Sequence, residues 1–147
     1  MTHLFVFDTV GFINYHYDFF GEKSRLSSQI IKDIEKCLSP DFIDYKLIIP
    51  SIVFVEIFDK QLNSDEKAFM FKYEILSRYL NSDDVEIKGL DKEVLQIYHN
   101  IHNNVIQLET HDKIILSSAI QMQGKLITND GKIKTYIDAT NAVELVF

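Results

Sequence analysis

Residues 4–8 read LFVFD, and this short stretch decides how the sequence is expected to fold. Four consecutive apolar residues with no polar alternation are typical of a strand that is buried on both faces of a parallel sheet. Similar runs occur at residues 47–49, 125–128 and 142–147, with a weaker one at residues 85–87. The sequence therefore predicts five strands.

Helical patterns separate these runs. Apolar residues recur at spacings of three and four within residues 26–38, 64–79, 91–100 and 110–123. Pro50 suits the first position of a further helix that continues from Ser51, because no partner is needed there for its missing N–H. The alternation predicts an α/β fold with a mostly parallel sheet covered by helices on both sides. Since no linker or repeat interrupts the chain, residues 1–147 are expected to form one domain.

Composition excludes several classes of protein. A chain of 147 residues buries enough surface to fold without disulfides or a structural metal. The single cysteine, Cys37, excludes an internal disulfide framework and a Cys-based zinc cluster, and it favours a reducing cytoplasm. No apolar run is long enough to span a membrane. The net charge of -7 argues against a protein that binds nucleic acid through an extensive basic surface.

Two carboxylates interrupt apolar surroundings. Asp8 ends the first predicted strand, and Glu56 is the only charged residue between Lys46 and Asp59. An unpaired carboxylate in such a position is costly unless it is protonated, paired with a cation or bound to a metal. Both acids are therefore candidates for a functional site.

Two other acids gain significance from the expected topology. Asp112 lies in the first turn of a predicted helix, where the helix dipole alone would favour it, and Asp130 lies in an Asn-Asp-Gly sequence typical of a turn. In a parallel sheet, however, both fall at the edge where Asp8 lies, and Glu56 can reach that edge from two turns into its helix. Four converging carboxylates would repel one another strongly, and oxygen ligands suit Mg²⁺ or Mn²⁺.

The order of these acids resembles the PIN domain family, metal-dependent ribonucleases that include VapC-type toxins. The resemblance rests on FVFDTVGFI, PSIVFVEIF, HDKIILSSA and LITNDGKI, and it extends over nearly the whole chain. It implies a sheet of order 3-2-1-4-5 and hydrolysis of RNA phosphodiester bonds with one or two Mg²⁺ or Mn²⁺ ions. Asp8, Glu56, Asp112 and Asp130 would be the catalytic and metal-binding residues.

The resemblance also implies supporting residues and partners. Thr128 and Asn129 match the context before the last acid, and Thr9 and Asn129 are candidates for orienting a ligand or water. Lys132 and Lys134 are either contacts for RNA phosphate or solvated surface lysines. A toxin-like protein would be cytoplasmic, would bind an antitoxin and would form a homodimer.

Two alternatives stay open at this level. One is a PIN-like protein-interaction module whose site is inactive or masked. Acidic metal sites do not select the sugar, so DNA ends or structured nucleic acid are alternative substrates. A haloacid dehalogenase-like phosphatase is disfavoured, because it would need a second Asp two residues after Asp8, where Val10 stands.

Overall fold

The computed structural model describes residues 1–147 and contains five strands. Their bounds are β1 His3–Phe7, β2 Tyr45–Pro50, β3 Val85–Lys88, β4 Lys125–Ile127 and β5 Leu145–Val146. All neighbouring strands pair in parallel, in the order β3-β2-β1-β4-β5. The predicted fold class, strand number and strand order are confirmed.

Nine α-helices connect and cover the strands. They are α1 Thr9–Tyr15, α2 Tyr17–Phe20, α3 Ser28–Cys37, α4 Ser51–Lys60, α5 Asp65–Phe71, α6 Ser77–Leu80, α7 Lys92–Asn100, α8 Thr110–Met122 and α9 Gly131–Thr140. A π-helical turn, Lys72–Leu76, joins α5 to α6, so the helix predicted at residues 64–79 is one continuous helical segment. None of the helices is both long enough and apolar enough to cross a membrane.

Two local predictions are wrong. Pro50 is the last residue of β2 and the N-cap of α4, because its φ of -57° and ψ of 132° extend the strand by one residue. The last strand does not cover residues 142–147 but only Leu145 and Val146. It pairs with β4 alone, and β4 itself has three residues, so few ladder partners exist for a longer strand.

Helix α9 is absent from the four predicted helical segments. Asp130 is its N-cap, and the Oδ1 atom of Asp130 accepts a hydrogen bond of 2.9 Å from the N–H of Ile133. The buried residues Ile133, Tyr136 and Ile137 form the inner face of the helix. Asp and Gly favour helix starts as well as turns, so the same residues fit either structure.

The core contains 27 buried residues and surrounds both faces of the central strands. On one side of the sheet, Phe12 of α1 is fully buried, and the Phe7 ring of β1 lies 5.7 Å from its ring centroid. Four further rings, from outside the sheet, lie with their centroids 4.7–6.3 Å from that of Phe12. We call this group the aromatic cluster; its members are Phe12, His16, Phe54, Phe71 and Tyr79. Its one polar contact is a hydrogen bond of 2.5 Å between His16 Nε2 and the Tyr79 hydroxyl.

The carboxyl ends of β1 and β4 are tied together directly. The backbone N–H of Asp8 donates a hydrogen bond of 3.2 Å to the carbonyl oxygen of Ile127. Helices α1, α4 and α9 begin immediately after β1, β2 and close to the end of β4. These three helix starts therefore meet at one edge of the sheet, as the parallel topology requires.

Candidate functional site

A cavity of about 560 Å³ opens at this edge of the sheet. Its 15 lining residues include the four predicted acids, Asp8, Glu56, Asp112 and Asp130. We call it the acidic cleft. Glu109 adds a fifth carboxylate, and Lys60 and Lys132 are the two lysines, so five negative and two positive charges leave -3 with His111 neutral. The cleft therefore carries a large part of the negative charge of the chain.

Asp8 is buried, with 4% of its surface exposed. Its Oδ1 atom caps α1 by accepting a hydrogen bond of 2.5 Å from the N–H of Gly11. Burial raises the pKa of Asp8 from 3.8 to about 7, although hydrogen bonds from Thr128 and Gly11 act in the opposite direction. The charges of Asp112 and Asp130 make smaller contributions to this increase in pKa. Ionised Asp8 is thus held in a position that favours a cation close by.

Gly11 allows α1 to approach β4 at this point. A Cβ atom there would lie 2.8 Å from the carbonyl oxygen of Ile127 and 3.1 Å from Oδ1 of Asp8. Both neighbours are held in the sheet or in a helix cap and have little freedom to move. The absence of a side chain at Gly11 therefore places Asp8 against the end of β4.

Glu56 lies on α4 with 9% of its surface exposed. The Thr9 hydroxyl donates a hydrogen bond of 2.5 Å to Glu56 Oε1, while Nε2 of His111 lies 3.2 Å from Oε2. Lys60, one turn along the same helix, places its Nζ 3.8 Å from Oε2. These contacts explain how a carboxylate is accommodated among the apolar residues of α4.

Asp112 lies in the first turn of α8 beside His111. Burial raises the pKa of Asp112 to about 6; the charge of His111 lowers it, and those of Asp130, Glu56 and Glu109 raise it. Nε2 of His111 lies 3.5 Å from Asp112 Oδ1 and 3.4 Å from Glu109 Oε2. His111 therefore lies between carboxylates from α4, from the start of α8 and from the residue that precedes α8.

Asp130 enters the cleft from the start of α9. Its backbone N–H donates a hydrogen bond of 3.1 Å to the hydroxyl of Thr128, which is itself buried. Thr128 also lowers the pKa of Asp8, so one side chain acts on both acids at the ends of β1 and β4. Asp8 and Asp130 each use one carboxylate oxygen to cap a helix.

The structure separates the remaining predicted residues into two groups. Thr9 and Lys132 line the acidic cleft. Thr128 and Asn129 line a different cavity, of about 400 Å³, on the other side of Asp130. Lys134 also lines this 400 Å³ cavity, and its Nζ lies 3.0 Å from Oδ2 of Asp138. Lys134 therefore lies outside the cleft and has an acidic partner of its own.

The donors in the cleft fit a hard divalent cation. Oxygen atoms predominate, and the charges of neighbouring carboxylates add to burial, the main cause, in raising the pKa values of Asp8 and Asp112. One group of three has its potential ligand atoms within 4.8 Å of one another: Glu109, His111 and Asp112. The four predicted acids form a wider arrangement, consistent with their mutual repulsion.

Glu109 and His111 are the cleft residues that sequence reasoning missed as potential ligands. His111 is adjacent to Asp112 in the chain, but its contact with Glu56 joins residues far apart in the sequence. No local spacing signals such a contact. The nearest available signal is the accumulation of three polar ligand types within residues 109–112.

No protein-family model matches the sequence, and no curated protein matches it significantly. Solved structures do match. A chain of VapBC2 from Rickettsia felis, solved bound to a DNA fragment from the VapBC2 promoter, is 17% identical with a TM-score of 0.65, covering 97% of this chain and 96% of that one. A chain of FitAcB from Neisseria gonorrhoeae is 16% identical with the same TM-score, over 97% and 96%.

A third similar structure is VapBC-5 of Mycobacterium tuberculosis, a member of the VapBC family of toxin-antitoxin systems. It is 16% identical, with a TM-score of 0.61 over 97% of each chain. At these identities the similarity establishes a shared fold. Together with the strand order, it confirms that this chain resembles the PIN domain in its fold.

Proposed function

We propose that this protein is a divalent-metal-dependent endoribonuclease whose reaction takes place in the acidic cleft. The observation that carries the proposal is the meeting of four carboxylates from four separate segments in one solvent-accessible cavity. Carboxylates gathered in this way repel one another in the absence of a cation, and the charges of Asp112 and Asp130 accordingly add to the effect of burial in raising the pKa of Asp8. A bound cation would offset this repulsion, which supports metal binding as the role of the four carboxylates.

Asp8, Asp112 and Asp130, with Glu56 directly or through water, are the residues that would hold one or two Mg²⁺ or Mn²⁺ ions. When bound, such an ion polarises phosphoryl oxygens and lowers the pKa of water, which supplies a nucleophile for attack on phosphorus. Magnesium and manganese both accept oxygen-rich ligand sets of this kind.

Other side chains position these ligands. Thr9 holds Glu56 by the hydrogen bond between its hydroxyl and Oε1, and Thr128 holds the backbone of Asp130. Lys132 lines the cleft without an acidic partner and is available to a phosphate oxygen of the substrate. We assign Thr9 and Thr128 as positioning residues and Lys132 as a substrate contact.

A toxin-like role is the biological setting that we propose for this activity. The matching structures include complexes from toxin-antitoxin systems, and the match extends over nearly the whole of each chain. An antitoxin protein is accordingly the proposed binding partner of this chain. Its expected effect is to reduce access of RNA to the acidic cleft.

The direct test is cleavage of labelled single-stranded RNA by the purified protein with Mn²⁺ or Mg²⁺, and again after addition of EDTA. Asp8→Asn and Asp112→Asn should each reduce kcat by about a hundredfold or more, the order expected when a group that stabilises transition-state charge is lost. Asp83→Asn, in an exposed loop away from the cleft, is the matched control.

Equal cleavage by the wild type, by both cleft variants and in EDTA would show that the activity belongs to a contaminant or another site. Absence of cleavage together with absence of Mn²⁺ binding would favour the interaction-module alternative. Replacing the RNA by single-stranded DNA of the same sequence tests the choice of sugar. Glu56→Gln with Asp59→Asn forms a second matched pair, since both acids lie on α4 but only Glu56 faces the cleft.

A further inference from the structure

A second cavity, of about 460 Å³, continues from the acidic cleft. Both cavities are lined by Val10 and Ile13, so one half-buried face of α1 forms their common boundary. The second cavity is completed by Asn14 and by the loop that follows α2, which contributes Gly21, Glu22, Lys23 and Arg25. A ligand that extends beyond the cleft in this direction therefore meets that loop.

The two cavities differ in charge. In the second cavity two cations face one anion, Glu22, which leaves a formal charge of +1, whereas the cleft carries -3. Lys23 and Arg25 are exposed, and neither has a carboxylate within 4.0 Å. Their charges are free to interact with a ligand.

Asn14 of α1 holds the loop that carries these cations in place through side-chain hydrogen bonds. This side chain is buried, with 4% of its surface exposed, and both ends of its amide are used. Its Nδ2 donates a hydrogen bond of 2.9 Å to the carbonyl oxygen of Val10, and its Oδ1 accepts one of 2.8 Å from the N–H of Arg25. A buried amide that is hydrogen-bonded through both its nitrogen and its oxygen rigidifies the backbone segments that it connects.

Gly21 allows the loop to turn toward the cavity. It ends α2 with φ of 67° and ψ of 26°, a left-handed conformation that glycine adopts without strain. The turn at Gly21 and the clamp at Asn14 together fix both ends of the segment that carries Lys23. The two cations are therefore presented on a defined surface beside α1.

We propose that this cavity, the Lys23–Arg25 site, binds the phosphate backbone of the RNA strand next to the bond held in the acidic cleft. The proposal rests on the proposed ribonuclease function. A strand whose reacting phosphate lies in the cleft carries further phosphates on either side. Arginine pairs with phosphate through two parallel hydrogen bonds, and lysine pairs with it as a point charge. Lys132 would contact the strand within the cleft itself.

The test compares two double variants that each remove two positive charges. Lys23→Ala with Arg25→Ala alters the proposed site, and Lys32→Ala with Lys92→Ala alters exposed lysines that line neither cavity. The probe is a fluorescein-labelled single-stranded RNA of about 16 nucleotides, the upper end of the usual site size for one small domain. Binding is followed by fluorescence anisotropy in EDTA, and cleavage by kcat and KM in Mn²⁺.

The first double variant should bind the RNA about tenfold more weakly and raise KM by a similar factor, as expected for two exposed charge contacts. The slope of log Kd against log salt should fall by about 1.4, since each single-strand phosphate contact contributes about 0.7. Its kcat should stay within about twofold of the wild type, because neither residue is placed in the cleft. The control variant should match the wild type throughout.

Equal binding and equal KM for the two double variants would overturn the Lys23–Arg25 site while leaving the ribonuclease proposal intact. Failure of the ribonuclease proposal alone can also be recognised. A wild type that cleaves nothing in Mn²⁺, yet binds RNA in a manner dependent on Lys23 and Arg25, would overturn the reaction and support the strand contact. DNA of the same sequence should lose the same factor in affinity, and a loss confined to RNA would contradict a contact with phosphate.

Discussion

The two sides of helix α1 show opposite ways of burying polar groups. On one side, Phe12 and His16 join the aromatic cluster, where the only polar contact is the His16–Tyr79 hydrogen bond. On the other side, Asp8 and Thr9 face the acidic cleft, where like charges lie close together and burial raises the pKa of Asp8. The aromatic cluster satisfies its own groups, whereas the lining residues of the cleft leave a formal charge of -3 uncompensated.

This contrast indicates a division of roles within one short helix. Burial of large rings on one side of α1 stabilises the fold. This stabilisation compensates for the acids on the other side, which are destabilising. Proteins commonly maintain a destabilised functional site at the expense of the free energy of folding. Substitutions on the two sides of α1 should therefore change stability in opposite directions.

The largest effect is expected from Phe12→Ala. The ring is fully buried and contacts the other members of the aromatic cluster, so its removal leaves a cavity. The free energy of unfolding should fall by about 3–5 kcal/mol. Denaturation in urea measures this change. Phe69→Ala, at a ring that is 61% exposed, should change the free energy by less than about 1 kcal/mol.

In metal-free protein, Asp8→Asn should have the opposite effect and increase the free energy of unfolding. Because the folded-state pKa of Asp8 is raised from 3.8 to about 7, the folded state binds more protons between these values and stability decreases as pH rises through this window. Above pH 7 the variant should be more stable than the wild type by about 2–4 kcal/mol. Urea titrations in EDTA at pH 5 and pH 8 provide the comparison, and equal differences at both would contradict the assigned cause.

Addition of Mn²⁺ should remove this disadvantage of the wild type. At about a hundredfold excess over Kd, a ligand of the folded state stabilises it by about 2.7 kcal/mol, which raises Tm by roughly 5–10 °C for a chain of this size. Asp8→Asn and Asp112→Asn should lose the shift, and Asp83→Asn should keep it. A shift of equal size in all four proteins would locate metal binding elsewhere.

The substitution His16→Gln tests the aromatic side of α1 through the pH dependence of stability. Burial lowers the pKa of His16 from 6.5 to about 4, and the charge of Arg78 lowers it further. The unfolded state therefore binds more protons below pH 6.5, and stability decreases as pH falls from 6.5 to 4, by about 2–3 kcal/mol. The variant should lose that component of the pH dependence. His102→Gln, at an exposed histidine, is the matched control.

The smallest effect in this series is expected for Gly11→Ala. The added Cβ would lie 2.8 Å from the carbonyl oxygen of Ile127, so α1 must shift away from β4. Overpacking should reduce the free energy of unfolding by about 1–2 kcal/mol, after allowance for the better helix propensity of alanine. Gly131→Ala, where no atom lies within 4 Å of the added Cβ, should be neutral or stabilising. Thermal melting of the two variants compares them.

The sequence predicts the sheet well because buried parallel strands have a simple signature. The runs ending at Phe7 and Ile49 contain almost no polar residues, and both correspond to central strands. Helix α9 is harder to detect because its cap, Asp130, also suits a turn. Strand β5 is shorter than its apolar pattern suggests, because its length depends on its partner.

The residues of the candidate site likewise differ in how readily the sequence reveals them. Asp8 and Glu56 are conspicuous in the sequence because they interrupt apolar segments, and both line the cleft. The contact of His111 with Glu56 has no local signal, since it depends on how α8 packs beside α4. The separation of Lys134 from Lys132 likewise depends on which face of α9 each occupies, and on the partner that Asp138 provides.

The capping roles of Asp8 and Asp130 have a consequence for protein synthesis. These carboxylates begin the first and the last helix of the chain, and they come from its opposite ends. The cleft is therefore complete only after residues 131–140 have been synthesised and α9 has formed. If the proposed function is correct, a nascent chain would gain the capacity to cleave RNA only once α9 has folded beside the sheet.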